Sequence, residues 1–272
     1  MTRKTNSVKE IAVISDIQSG HIYAPLHPDM KYHQTDTMVD LNKQQEIIWE
    51  AWVECSKLYG DCDLLMMNAE ALEGYRNPDT WSTDPFDQIE NAKKLLLMFN
   101  AKKYMFTRGS DWHVKVDQGG HLYAEDMLAK EMGAAKTQGF WAPVEHWLNI
   151  DGCIINFAHH ISGTRVPQYR STAITREMFV THVNQKHLHN AKTIVRSHVQ
   201  YFWHVESEHH HAFITPGWQL RTPYAVQYLG NGGVASLGMI RFRIVDGKFD
   251  WHEKEDKYLI EDDRLRPILS EI

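Results

Sequence analysis

The chain has 272 residues, 43% of them hydrophobic, with a formal net charge of −6. That size and apolar content support a buried α/β core, and no apolar run approaches the ~20 residues of a membrane-spanning helix. The acidic balance excludes the broad basic surface that drives non-specific duplex binding, leaving at most a locally positive groove for nucleic acid. The polar stretch 1–10 contains no signal-peptide core, so a cytoplasmic, unexported protein with no membrane contact is expected. Three cysteines without C-x-x-C spacing argue against a disulfide framework or a zinc knuckle. The 17 histidines point instead to metal or proton-transfer chemistry.

In chain order, Ile11 to Ser15 is a short apolar run ending in Asp16, the pattern of a buried strand. Met38, Leu41, Ile48 and Trp52 recur at helical spacing, and Gly60 supplies a stop. A second strand, Leu64 to Met67, runs into Asn68-Ala69-Glu70. Asp84-Pro85 then caps and opens a helix with Phe86, Ile89, Leu96 and Phe99 on one face. A third strand, Tyr104 to Thr107, leads into Arg108-Gly109-Ser110. This alternation predicts parallel strands joined by right-handed crossovers.

After about residue 140 the pattern changes. Asp151-Gly152 and Asp246-Gly247 each separate two strand-like runs and predict tight hairpins, 144–157 and 239–252. A helix over 173–189 and a strand over 193–196 lie between them. With no repeat or linker, residues 1–272 read as a single domain.

Ligands bind at the carboxyl ends of strands in open α/β sheets, where the loops converge. Five such ends here carry polar clusters: Asp16 to His21, Asn68 to Glu70, Gly109 to His113, His159-His160, and Ser197 to Gln200. These clusters resemble the five blocks of the calcineurin-like metallophosphoesterases: Asp-x-His, Gly-Asp, Gly-Asn-His, a lone His, and Gly-His-x-His. The order and approximate spacing match from Ile11 to about Trp218, and the spellings NAEALEG, TRGSDWH and NFAHHISG resemble phage-encoded members, which act in the host cytoplasm. The resemblance implies an α/β, four-layer sandwich: two mixed β-sheets face to face, with helices on the outer faces. It also implies two divalent ions that clamp a phosphate and activate a water.

Carried over on those blocks, Asp16 matches the first ligand and Glu70 takes the bridging position. His159 or His160 matches the lone histidine, and His198 the first histidine of the last block. His113, with Asp111 beside it, is the candidate for proton transfer. Gln18 and Gln200 stand where the family supplies histidines, and Ser110 where it supplies asparagine. Both lost imidazoles belong to one ion site, so one tight and one weak site are expected. Amide oxygen suits manganese or magnesium better than zinc. His21, Arg108 and Arg165 are candidates to grip the substrate, a phosphodiester or phosphomonoester, with nucleotides and nucleic acid among its possible sources.

Other features have plainer readings. His209-His210-His211 lies in a predicted strand whose neighbours alternate faces, which suits a surface or core-edge role. Trp141, Trp147, Trp203 and Trp218 suit core and cleft walls. The paired loss of imidazoles from one ion site also motivates a second function class, a catalytically silent sandwich used as a binding or assembly module.

Overall fold

The computed structural model describes residues 7–115, 123–164, 166–208, 210–230 and 234–265. Its first half runs β1 (Val8–Ile14), α1 (Lys43–Tyr59), β2 (Leu64–Asn68), α2 (Pro85–Leu96) and β3 (Tyr104–Thr107). The three strands are parallel, with Ile11 beside Leu64 and Met66 beside Met105. A short helix α3 (Asp111–Val114) and α4 (Ala124–Glu131) follow. The second half holds β4 (Glu145–Ile150), β5 (Cys153–Ala158), α5 (Arg170–Val183), β6 (Thr193–Arg196), β7 (Trp203–Ser207), β8 (His210–Ile214) and α6 (Pro223–Leu229). It ends in β9 (Gly238–Val245), β10 (Lys248–Asp250) and β11 (Lys257–Leu259).

One sheet has the order β10-β9-β1-β2-β3, with β11 also on β9, and the other β4-β5-β6-β8-β7. Both are mixed: β9 returns antiparallel to β1, and β6 lies parallel to both β5 and β8. The chain therefore re-enters its first sheet after completing the second. Both expected hairpins turn on left-handed pairs, Asp151 (φ 52°) with Gly152 (φ 93°) and Asp246 (φ 49°) with Gly247 (φ 76°), which match the twist of the flanking strands.

Strand alternation builds the layers. Ile11 and Val13 face the second sheet and join Met66, Phe242, Ile155, Phe157 and Phe213 in the core between sheets. Ala12 and Ile14 face the other way and pack under Ile48, Trp52, Leu95 and Leu128 of α1, α2 and α4. On the far side Ile174 and Met178 of α5 cover Ile194, Ala212 and Ile214. The result is the expected helix, sheet, sheet, helix sandwich.

Local chemistry sets the element ends. Asn42 accepts from Gln45 N–H while the Gln45 side chain accepts from Asn42 N–H, a capping box that starts α1 at Lys43. Met38 and Leu41 therefore lie outside the helix although they share its spacing. Asp84 caps α2 through Phe86 N–H, which turns the Phe86 ring out to 51% exposure instead of onto the core face. Trp218 is fully buried, whereas Trp141, Trp147 and Trp203 are only half-buried. No helix among the described residues is long and apolar enough to cross a membrane.

Candidate metal centre

The carboxyl ends of β1, β2, β3, β5 and β6 lie together along one edge of the sandwich. A polar seam ties the two sheets there. Asn68 donates to Ala158 C=O (3.1 Å) and accepts from Thr107 Oγ1 (2.9 Å), and Ser197 Oγ donates to Asn68 C=O (2.8 Å). Directly past these strands the backbone turns left-handed at Asp16, Gln18, Ala69, Glu70, His198 and Gln200. These are six of the eleven non-glycine residues with positive φ among the described residues. Such strain persists only where the surroundings over-determine it, and it concentrates at functional sites.

Glu70 is the hub, with 2% exposure. Its Oε1 lies 2.9 Å from His159 Nε2 and accepts from Ser110 Oγ at 2.7 Å, while Oε2 accepts from Gln18 Nε2 at 2.7 Å. His159 Nε2 is also 3.1 Å from His198 Nδ1, and His198 N–H reaches Asp16 Oδ2 at 3.3 Å. The carboxylates of Asp16 and Glu70 thus stand next to the two histidines, although up to 182 residues separate them in the chain.

Tautomers follow from the partners. The Ser197 hydroxyl donates to Asn68, so it accepts from His159 Nδ1–H (2.9 Å), which leaves Nε2 as the atom turned to the centre. The Glu73 carbonyl can only accept, so His113 Nδ1 carries a proton toward it (2.7 Å) and Nε2 faces Glu70 Oε2 at 3.9 Å. Burial alone would discharge the His159 ring, but the Glu70 and Asp16 carboxylates outweigh it and raise its pKa to about 9. Burial likewise opposes charge on His113, and Glu70 and Glu73 hold its pKa above the ordinary value.

Sequence-predicted residues fall into three groups. Asp16, Gln18, Glu70, Ser110, His159 and His198 meet through the contacts above. His160 is exposed, its ring centroid 4.8 Å from that of His159 and 5.0 Å from that of His198, so the pair 159/160 resolves into an inner and an outer ring. Gln200 packs beside Asp16 across Gly217, where a Cβ would meet Gln200 Cγ at 3.0 Å and Asp16 Cβ at 3.2 Å. Asp111, Arg108 and His21 lie further out. Asp111 pairs with Lys115 at 2.6 Å, and its side chain is 63% exposed. The Arg108 guanidinium sits 3.7 Å over the Tyr123 ring and bonds Asp126 at 2.6 Å. Both line a cavity of about 590 Å3 that also reaches Ser110, His159 and His160. His21 is fully buried, and its Nδ1 accepts from Tyr23 N–H. Arg165 lies outside the described residues.

Two carboxylates absent from the sequence reading support the centre. Glu125 of α4 is fully buried and accepts from Ala71 N–H (3.0 Å) and Gly109 N–H (2.6 Å), clasping the β2 and β3 loops together. Glu73 accepts from Asn77 (2.7 Å) and Gln219 (3.2 Å) behind His113. Glu73 lies within the NAEALEG spelling, so a signal existed for it. Glu125 had none, because its partners are backbone amides brought near only by the fold.

The residues fit a divalent cation. Asp16 Oδ1 and Gln18 Oε1 are buried oxygens without a hydrogen-bond partner, an arrangement that costs free energy unless a cation or water faces them. Donor atoms of Asp16, Glu70 and His159 lie within 4.8 Å of one another, as do those of His159, His160 and His198. The 2.9 and 3.1 Å spacings around His159 Nε2 are close to the roughly 3 Å between neighbouring ligands held at about 2.1 Å from an octahedral ion.

Gly109 guards this packing. A Cβ there would lie 2.6 Å from Glu70 Cγ and 3.0 Å from its backbone nitrogen. Gly109→Ala should cost about 1–3 kcal/mol of stability through overpacking, and weaken metal binding about tenfold by displacing Glu70. Urea unfolding and a metal titration read the two effects separately.

No family model and no curated protein matches the sequence. Solved structures of similar architecture include a conserved protein of Streptococcus pneumoniae TIGR4 described as a predicted phosphoesterase, at 9% identity over 88% of this chain and 84% of that one, TM-score 0.38. Zinc-complexed Vps29 of Entamoeba histolytica matches at 10% identity over 86% and 84%, TM-score 0.40. Yfce, a phosphoesterase from E. coli, matches at 13% identity over 85% and 87%, TM-score 0.40. At these scores the likeness adds nothing to what the site's own geometry says.

Proposed function

We propose that this chain is a calcineurin-like metallophosphoesterase that hydrolyses a phosphodiester or phosphomonoester, a nucleotide being one candidate. The observation that carries the reading is the convergence of Asp16, Glu70 and His159 donor atoms, together with the buried, partnerless Asp16 Oδ1 and Gln18 Oε1. Glu70, His159, His198 and Ser110 form the nitrogen-bearing set that holds one ion tightly. Asp16, Gln18 and Gln200 form an oxygen-rich set that holds a second weakly, suited to manganese or magnesium before zinc. Divalent ions bound there supply charge neutralisation for the phosphoryl oxygens and a water of lowered pKa.

This chain's own residues do the rest. Ser110 and Gln18 fix both oxygens of Glu70 by hydrogen bonds, which orients that carboxylate before substrate arrives. His113 presents Nε2 to the centre with its other nitrogen anchored on Glu73, and against burial Glu70 and Glu73 favour its protonated form, which suits proton donation to the leaving oxygen. Tyr123 and Arg108 wall the adjoining cavity as the substrate's resting place. Asp111, which lines the same cavity, is placed by this reading at the substrate's rim.

A second reading rests on Gln18, whose amide nitrogen occupies Glu70 Oε2 where a histidine ligand would otherwise stand. On that reading the sandwich is a silent binding module. The test dialyses purified protein against manganese, then measures bound metal and turnover of bis-p-nitrophenyl phosphate. Retained metal with turnover is expected; neither metal nor turnover would leave the silent module standing.

A further inference from the structure

β7 and β8 form the outer hairpin of the second sheet, with β7 at its edge. In its register Glu206 lies opposite His211 and His204 opposite Phe213. Strand alternation therefore puts His204, Glu206, His211 and Phe213 on one face. Phe213 belongs to the core between the sheets, so this is the inner face, and the three polar residues stand where that core reaches the open side of the sandwich. His210 points the opposite way, its ring centroid 4.8 Å from that of His182 on α5. The histidine run is thus divided between faces, and a histidine from the neighbouring strand completes the inner group.

The inner group is closely fixed. His204 Nε2 lies 3.2 Å from His211 Nδ1, with the ring planes 4° apart. Phe213 stacks on His204 at 4.4 Å, Trp251 flanks the same ring at 5.7 Å, and Phe249 flanks His211 at 4.6 Å. One donor atom from each of His204, Glu206 and His211 lies within 4.8 Å of the other two. Both histidines are half-buried, and Glu206 is exposed.

We propose that His204, Glu206 and His211 form a second metal site, separate from the centre around Glu70, that takes a borderline transition ion such as zinc. Two imidazoles and one carboxylate are a characteristic zinc donor set, whereas manganese and magnesium prefer oxygen. The 3.2 Å separation of the ring nitrogens is close to the roughly 3.3 Å edge of a tetrahedron with Zn–N bonds of about 2.05 Å. The three ligands sit on one two-stranded hairpin, so the site needs no ordering of distant chain. Its expected consequence is a clip on the sheet's edge strand, with the exposed Glu206 side left for a water or an outside ligand.

Zinc binding to the full-length Glu70→Ala chain, compared with and without substitutions at this hairpin, reads the site separately, because the other centre then keeps only its His159, His160 and His198 donors in both chains. Elemental analysis after dialysis should find at least one zinc per chain, one of them belonging to the hairpin. Glu206→Gln, an exposed position where the fold is not at stake, should weaken that zinc about tenfold or more, and adding His211→Ala should abolish it. Cobalt(II) in place of zinc should give visible ligand-field bands that fall with the same substitutions. If Glu70→Ala fails to fold, the wild-type chain should hold one zinc more than its Glu206→Gln/His211→Ala variant, checked by circular dichroism for an unchanged fold. A zinc count that is undiminished in that variant overturns the site, as does a folded Glu70→Ala chain that holds no zinc. Either result leaves the phosphoesterase reading untouched, since that reading rests on manganese retention and turnover at Asp16, Glu70 and His159.

Discussion

Replacing Glu70 with alanine should lower manganese-dependent turnover of bis-p-nitrophenyl phosphate by roughly a thousandfold, the scale on which a preorganised electrostatic group acts. Glu70 touches more of the centre than any other side chain described there: His159, Ser110 and Gln18 bond its two oxygens, and His113 approaches at 3.9 Å. Its loss removes the negative charge shared between the two ligand sets and leaves the His159 ring without its closest carboxylate. Glu70→Gln tests charge apart from shape, since glutamine keeps the length and one carbonyl oxygen but cannot carry the charge that a divalent ion needs. Both variants should lose turnover and bound manganese together while keeping the wild-type circular dichroism spectrum. Equal turnover by wild type and Glu70→Ala would end the assignment of this cluster as a phosphoesterase centre.

The sandwich was legible because both of its periodicities are strong. β1 reads as an unbroken apolar run because alternate residues serve two cores, Ile11 and Val13 between the sheets and Ala12 and Ile14 under the helices. The loops after each parallel strand were legible for a related reason: an apolar strand that stops at a carboxylate or imidazole marks where the sheet's carboxyl edge meets solvent. What stayed hidden depends on three-dimensional neighbours. Glu125 looks like any acidic residue near a helix start, yet it clasps two loops through backbone amides 54 and 16 residues away. Arg108 reads as a candidate to grip the substrate, and its pairing with Tyr123 and Asp126 became visible only with α4 in place. Helix ends depart from the spacing where capping competes with periodicity: Met38 and Leu41 continue the spacing of α1, but Asn42 fixes its start. His204 and His211 lie seven residues apart in the chain, so only the hairpin register brings their rings within hydrogen-bond distance.

The metal-free protein should lose stability as pH rises from about 7 to about 9, and divalent metal should restore it increasingly over the same interval. His159 carries the argument. Burial disfavours its charge, but Glu70 and Asp16 raise its folded pKa to about 9, from 6.5 when unperturbed. Between those values the folded chain binds a proton that the unfolded chain does not, so stability falls with pH and the contribution disappears above about 9. The size is at most about 3 kcal/mol, from a displacement of roughly 2.5 pH units at 1.36 kcal/mol each. His113, whose pKa Glu70 and Glu73 raise against burial, adds a decline in the same direction, and the remaining groups act elsewhere on the scale. Burial raises Asp16, Glu73 and Glu125 to about 7, so their contributions change mainly below that pH. Burial lowers His21 and His198 to about 4, which affects only the range from there up to about 6.5. The buried thiols Cys62 and Cys153, raised to about 11, add a decline in the same direction chiefly above about 9. The interval from 7 to 9 is therefore dominated by the His159 proton, which occupies the place beside Glu70 that a cation would take. Metal must displace that proton, so its apparent affinity should rise by up to about tenfold per pH unit until His159 is neutral. Thermal melts with and without manganese at pH 7, 8 and 9 measure both trends, and His159→Asn should flatten the metal-free one. A manganese-induced rise in Tm that stays constant across the series would show that His159 and the ion do not compete for the same place.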